Sequence, residues 1–238
     1  MKRSIRRIAA LLCLFCLLLS AQLAAAEQIP WNLTLVNSTH AVPEDWVVPE
    51  FTELRNGQRV DSRIYPELQA MFDAARAAGR TPLVISSYRT YDDQKNMLVK
   101  KYRAFKEQGY SHEDAQAEAL KWAAYPGYSE HQLGLAIDVG TSNSEKCSKD
   151  RVWSWLKEHC AEYGFIWRYS EEKSAITGIA NEPWHFRYVG VEAATYIMEN
   201  GLCLEEFHEE LQAAIDQFIA DGGNPRLVED LIQVSEEN

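Results

Sequence analysis

His131 and Asp138 stand seven residues apart in PGYSEHQLGLAIDVG, residues 126–140, with Ser129, Gly134 and Ala136 close around them. An imidazole and a carboxylate are both donors that hold zinc. From Leu135 to Val139 the alternation reads as a strand. Leu135, Ile137 and Val139 share an apolar face, and Gly134, Ala136 and Asp138 share the other. That second face is small residues ending in a carboxylate, which leaves room for a ligand. Seven is an odd spacing, so an unbroken strand would aim the two side chains at opposite faces. Gly134, or the turn before it, must break the register for them to converge. Taken alone, the pair also fits a capping aspartate and a surface histidine.

A second stretch, NEPWHFRYVG at residues 181–190, adds donors. Glu182 precedes His185 by three residues, and Pro183 between them opposes a helix. The pattern differs from HExxH, in which two histidines share one helical face. Should His185 join His131 and Asp138, the set is two nitrogens and one oxygen. That suits tetrahedral Zn2+ with a fourth position open to water, as in catalytic rather than closed structural sites. Glu182 then stands close enough to act on the water without being a ligand. Arg89, in SSYRTYDDQ (residues 86–94), falls between a predicted strand and a helix start, where a side chain projects into a cleft. Its guanidinium suits an oxyanion or a carboxylate, although a strand-end arginine is more often a surface charge. His40, His112, His159 and His208 lie in connector or polar helical patterns and read as structural or exposed.

The elements that must position these groups are legible in outline. WNLTLVN (31–37) alternates like a half-buried strand and leads into a Pro- and Glu-containing connector. YPELQAMFDAARAAGR (65–80) is a helix with Pro66 at its start, apolar residues at helical spacing and Gly79 as terminator. TPLVISSYR (81–89) is a strand, and Thr90 with Asp93 forms a capping box for the helix that carries Gln94. Ser111 with Asp114 opens another helix that ends before Pro126. VWSWLKEHCAEYG (152–164) is a helix closed by Gly164, and EPWHFRYVG is a strand. From Val191 onward the chain reads as helices, the last of them in NPRLVEDLIQ (224–233). Without regular βαβ alternation, the expectation is an α+β fold: a small, largely antiparallel sheet flanked by helices, with a helical C-terminal extension.

Residues 1–26 read as a secretory signal: MKRSIRR is basic, Ile8–Leu19 is apolar, and Ala24–Ala26 supply small residues for cleavage. An uncleaved anchor is the alternative. The apolar run is short for a membrane span, and the expected location is the cell envelope or beyond. Those residues hold four of the 24 Lys and Arg and none of the 35 Asp and Glu, so their removal takes the formal charge from −11 to −15. Such a field excludes nucleic acid and anionic lipid as general partners. Of the three remaining cysteines, Cys147 and Cys160 are the nearest pair for a disulfide; three small buried thiols is the other reading.

The motifs SSYRTYDDQ, SEHQLGLAIDVG, YGFIWRY, ITGIANEPWHFRYVG and LCLEEF occur in the order seen in the VanY-like zinc D-alanyl-D-alanine carboxypeptidases. The resemblance runs from about Ile64 to Phe207. It implies a zinc domain over residues 59–207, between an N-terminal extension (27–58) and an acidic helical tail (208–238). It implies His131, Asp138 and His185 as zinc ligands, Glu182 as catalytic base and Arg89 as stabiliser of the charged substrate oxygen. Gln94 and Ser129 match positions that contact the terminal D-alanine, with Trp184 and Tyr128 as cleft walls. The implied reaction is Glu-assisted attack of zinc-activated water, removing C-terminal D-alanine from peptidoglycan stem peptides by a monomer. Two alternatives stay open: an L,D-carboxypeptidase acting on tetrapeptide stems, and a non-catalytic zinc-stabilised wall-binding domain.

Overall fold

The computed structural model describes residues 30–223; the predicted secretory leader and the last predicted helix lie outside them. The described chain falls into two compact units, residues 36–199 and a smaller one of 30–35 with 200–223. In the larger unit a hairpin pairs β1 (Phe51–Glu53) with β2 (Arg59–Asp61), and it leads into α1 (Tyr65–Ala77). A four-stranded antiparallel sheet then forms from β3 (Pro82–Ser86), β4 (Ala136–Thr141), β5 (Phe165–Tyr169) and β6 (Glu182–Tyr188), in the order β3-β4-β6-β5. Between β3 and β4 the chain makes two packed helices, α2 (Tyr91–Glu107) and α3 (His112–Leu120). α4 (Lys149–His159) links β4 to β5, and a short α5 (Ser174–Thr177) precedes β6. The last two helices are α6 (Val191–Asn200) and α7 (Leu204–Ala220).

The core follows from helical and strand periodicity. α1 buries Leu68, Met71, Phe72 and Ala75, and α4 buries Val152, Trp153 and Leu156. The two helices contact each other; α1 also contacts β3, and α4 contacts β4 and β5, where Ile137, Val139 and Phe165 are buried. Trp153 keeps its indole N–H satisfied by donating to the Val139 carbonyl at 2.6 Å. The predicted caps are present: the Thr90 hydroxyl accepts from Asp93 N and the Asp93 carboxylate accepts from Thr90 N.

Two local expectations need correction. WNLTLVN is no strand. Trp31–Leu33 is a 3-10 turn, closed by Leu33 N donating to the Pro30 carbonyl at 2.7 Å. The apolar alternation there reports burial of Leu33 and Val36 rather than pairing. Conversely, the connector contains the β1–β2 hairpin, whose three-residue strands are too short to show a period. The three cysteines are buried free thiols, and burial pushes Cys160 up to about 12.

Candidate active site

β4 and β6 occupy the centre of the sheet, and their register sets Asp138 directly opposite His185. Cross-strand partners of this kind share a face. On the other side of β4, one extra residue at Ile85 shifts the β3 register so that Ser86 pairs with Asp138. His131 comes from the 3-10 turn Glu130–Leu133 that precedes β4. Gly134 ends that turn at φ 79°, and a Cβ there would stand 3.3 Å from the Asp61 nitrogen. This left-handed glycine is the break in register that the odd His131–Asp138 spacing requires.

β6 meets the same difficulty at Glu182, which is an odd number of residues from His185. Trp167 pairs with Phe186, yet Tyr169 pairs with Glu182, so β6 carries extra residues between. Within this irregular segment Glu182 Oε2 comes 3.6 Å from His185 Nδ1, and Pro183 lies in it, where a central strand tolerates proline.

His131, Asp138 and His185 are all buried, and one donor atom of each lies within 4.8 Å of the other two. Outer hydrogen bonds decide which atoms face inward. His131 Nδ1 donates to the Ser87 carbonyl at 2.7 Å, which leaves Nε2, 3.4 Å from Asp138 Oδ1. His185 Nε2 donates to Glu130 Oε2 at 3.3 Å, which leaves Nδ1, 3.1 Å from the same Oδ1. Asp138 Oδ2 accepts from Arg89 Nη2 at 3.0 Å. Two imidazole nitrogens and one carboxylate oxygen therefore converge, each backed by an outer partner, as in metal centres whose ligands are oriented from behind. Glu182 Oε2 stands 3.6 Å from His185 Nδ1.

The electrostatics follow from burial and pairing. Burial alone would raise Asp138, but His131 and His185 hold it well below the carboxylate range. Burial, with Arg89 adding, pushes His131 down to about 4. At His185 burial is outweighed by the bonds to Asp138 and Glu130, which raise it to about 9. Burial raises Glu182 to about 7 against the pull of His185, with Asp138 adding to the rise. A buried carboxylate near 7 is poised between accepting and returning a proton.

These groups line a cavity of about 150 Å3 together with Gln94, Ser129 and Trp184. Gln94 is fully buried; its Oε1 accepts from Arg89 Nη1 at 3.0 Å and its Nε2 donates to the Ala124 carbonyl at 2.8 Å. Trp184 packs beside Trp153, with ring centroids 5.7 Å apart. Tyr128 lies in the turn before Ser129 and is not among the residues lining this cavity.

The sequence reading overlooked Glu130, which is buried and bridges His185 to two buried guanidinium groups. Its Oε1 lies 2.8 Å from Arg168 Nε and 3.1 Å from Arg187 Nη1. Burial would raise Glu130, but these two cations hold it well below its usual range. The available signal was a cation inside each of the apolar strands FIWRY and HFRY, which requires a buried anion.

Residues 57–191 match a family profile described as VanY: D-alanyl-D-alanine carboxypeptidase. A D-alanyl-D-alanine carboxypeptidase of Enterococcus faecalis is 49% identical over 181 residues, covering 76% of this chain and 67% of that protein. Among solved structures, VanYB in complex with D-alanine-D-alanine superposes with a TM-score of 0.73 at 48% identity, over 75% of this chain and 98% of that one. A variant of the vancomycin-resistance D,D-pentapeptidase VanY from a VanB-type cassette, in complex with Zn(II), gives 0.72 at 48% identity, over 74% and 98%. With the matched profile spanning more than half of its length, the chain belongs to the VanY D-alanyl-D-alanine carboxypeptidase family.

Proposed function

We propose that this protein is a zinc-dependent carboxypeptidase that removes the C-terminal D-alanine from peptidoglycan stem peptides. The observation that carries the proposal is the convergence of His131 Nε2, Asp138 Oδ1 and His185 Nδ1 beside Glu182, a buried carboxyl raised to about 7. The donor set fits zinc: two neutral nitrogens and one anionic oxygen, each oriented by a second hydrogen bond. When bound, Zn2+ supplies Lewis-acid polarisation of the attacking water and of the scissile carbonyl. Glu182 takes a proton from that water as its oxygen bonds to the carbonyl carbon. The same carboxyl then returns the proton to the departing nitrogen as the C–N bond breaks, so the step closes with free D-alanine and a shortened stem.

Arg89 is built for a single task. Nε and Nη2 bond Ser86, Nη2 also bonds Asp138, and Nη1 bonds Gln94. Four of the five N–H donors of a guanidinium are thereby used. The remaining Nη1–H is available to the oxygen on which charge develops. Arg89→Ala should lower kcat by about 10²–10³, measured as D-alanine release at saturating peptide.

Release of D-alanine from purified penta- and tetrapeptide stems, with and without chelation, tests the whole reading. The expected result is release from the pentapeptide, abolished by EDTA and restored by zinc. Release from the tetrapeptide alone would replace it with the L,D reading, and no release from either would sink it. We further propose that residues 1–26 direct export, on the strength of their basic, apolar and small-residue order. N-terminal sequencing of the chain from an envelope fraction should begin at Glu27.

A further inference from the structure

Residues 42–50 precede the segment that matches the family profile, which begins at residue 57, and none of the candidate site residues lies in them. They are nevertheless bonded to the turn that carries His131. Val42 N donates to the Gly127 carbonyl at 2.8 Å, and the Trp46 indole N–H donates to the Leu133 carbonyl at 3.3 Å. A little further along, Asp61 N donates to the Gly134 carbonyl at 3.1 Å. A Cβ at Gly134 would stand 3.3 Å from Val48 Cγ2 as well as from the Asp61 nitrogen. Both ends of residues 127–134 are thus tied to the N-terminal segment, with Ser129, Glu130 and His131 between them.

The Trp46 bond is the one that depends on side-chain type, since it reaches a carbonyl 87 residues away through an indole N–H. Leu133 is fully buried, and a buried carbonyl has to be matched from within the protein. The connector presents the indole from a stiff support. Trp46 N donates to the Pro43 carbonyl at 3.0 Å, closing a turn, and Pro49 follows, so two prolines bracket the tryptophan. Among the three candidate ligands, Asp138 and His185 face each other across central strands, whereas His131 comes from a 3-10 turn outside the sheet. The bond from Nδ1 to the Ser87 carbonyl aims its ring, but the backbone beneath the ring has to be held as well. Arg89 N holds it from the β3–α2 connection, donating to the His131 carbonyl at 3.1 Å. The connector supplies the remaining hold.

We propose that the N-terminal connector is part of the catalytic unit, a strap in which Trp46 is a positioning residue that holds the turn so that His131 Nε2 meets Asp138 and His185. The inference rests on the carboxypeptidase reading above only in taking His131 as a zinc ligand. A strap that merely props the fold stabilises metal-free and zinc-bound protein alike and leaves zinc affinity unchanged. One that places a ligand stabilises the zinc-bound form more, and affinity rises by the difference.

The experiment measures zinc affinity by competition against a chelator, and thermal unfolding with and without zinc, on the full chain as wild type, W46F and V47S. The metal counted is the equivalent that H131A does not take up. Phenylalanine keeps an aromatic ring and removes the N–H. The expected result is that W46F weakens zinc binding about 3- to 10-fold and lowers the midpoint of the zinc-bound protein more than that of the metal-free one. V47S, at a residue of the same strap that is 74% exposed, should keep the wild-type affinity. Equal falls in both midpoints with unchanged zinc affinity in W46F, or an equal loss of affinity in V47S, would overturn the inference. Should W46F fail to fold, V48A removes the apolar neighbour of Gly134 and is judged by the same measure: weaker zinc binding supports the strap, and unchanged affinity overturns it. A wild type that binds zinc yet releases no D-alanine would overturn the carboxypeptidase reading and leave this inference standing. A wild type that binds no zinc would overturn both.

Discussion

Glu182 is asked to accept a proton and then return it, and its surroundings suit both halves of the task. Burial raises it to about 7, and the nearby cations keep it ionisable. Glu182→Gln preserves the shape and removes the base. Turnover should fall by about 10²–10⁴, while zinc content at neutral pH stays near that of wild type. An empty site in that variant would make Glu182 a ligand or its essential support. As pH falls through its value, Glu182 gains a proton and ceases to act as a base, which sets the acid limb of kcat/KM.

His185 gives a second prediction. Its bonds to Asp138 and Glu130 outweigh burial and raise it to about 9, so the metal-free chain holds it protonated at neutral pH. In that state the raised value stabilises the fold fully below 6.5, and the stabilisation is lost as pH rises through about 9. A ligand must be neutral, so zinc uptake at pH 7 should expel about one proton from His185, and affinity should strengthen as pH rises toward 9. Zinc titration in weakly buffered indicator solution reads this directly. Uptake without proton release would exclude His185 Nδ1 as a ligand atom.

The central strands do more than carry ligands. β5 and β6 bury Arg168 and Arg187, and the turn before β4 brings Glu130 between them and His185. Removing one partner of such a cluster leaves charge buried without compensation, which costs about 3–5 kcal/mol. Glu130→Gln should therefore destabilise the metal-free protein by that order in denaturant unfolding. It should also weaken zinc binding about 10–100-fold, because the outer partner of His185 is lost. Competition against a chelator of known affinity measures the second effect. Lower stability with unchanged zinc affinity would reduce Glu130 to a strut of the sheet.

For the whole molecule, the prediction concerns the coupling of metal binding to folding. The three proposed ligands come from two strands and a turn and meet only in the folded chain, so zinc bound by them would add its binding energy to stability. Chelation should abolish D-alanine release and lower the thermal midpoint, and zinc should restore both. At free metal about a thousandfold above Kd, the restored stability is about 4 kcal/mol. A midpoint that responds to zinc in a protein that never releases D-alanine would identify a structural site instead.

Much of this was present in local sequence. Pro66 and Gly79 bound α1, Thr90 and Asp93 cap α2, and His131, Asp138 and His185 as candidate ligands, with Glu182 as a candidate base, stand out by type, order and motif. Local signals suffice there because caps and periodicity act over one or two turns. Convergence of the donors is different, because each is aimed by a partner far along the chain. Gly134 must turn the chain beside Asp61, and the β6 bulge at Pro183 is visible only against its β5 neighbours. Glu130 reads as a surface charge until Arg168 and Arg187 arrive from strands dozens of residues away. Residue types fix which chemistry is possible; strand register, bulges and burial decide which atoms meet, because those depend on long-range pairing that no short window contains.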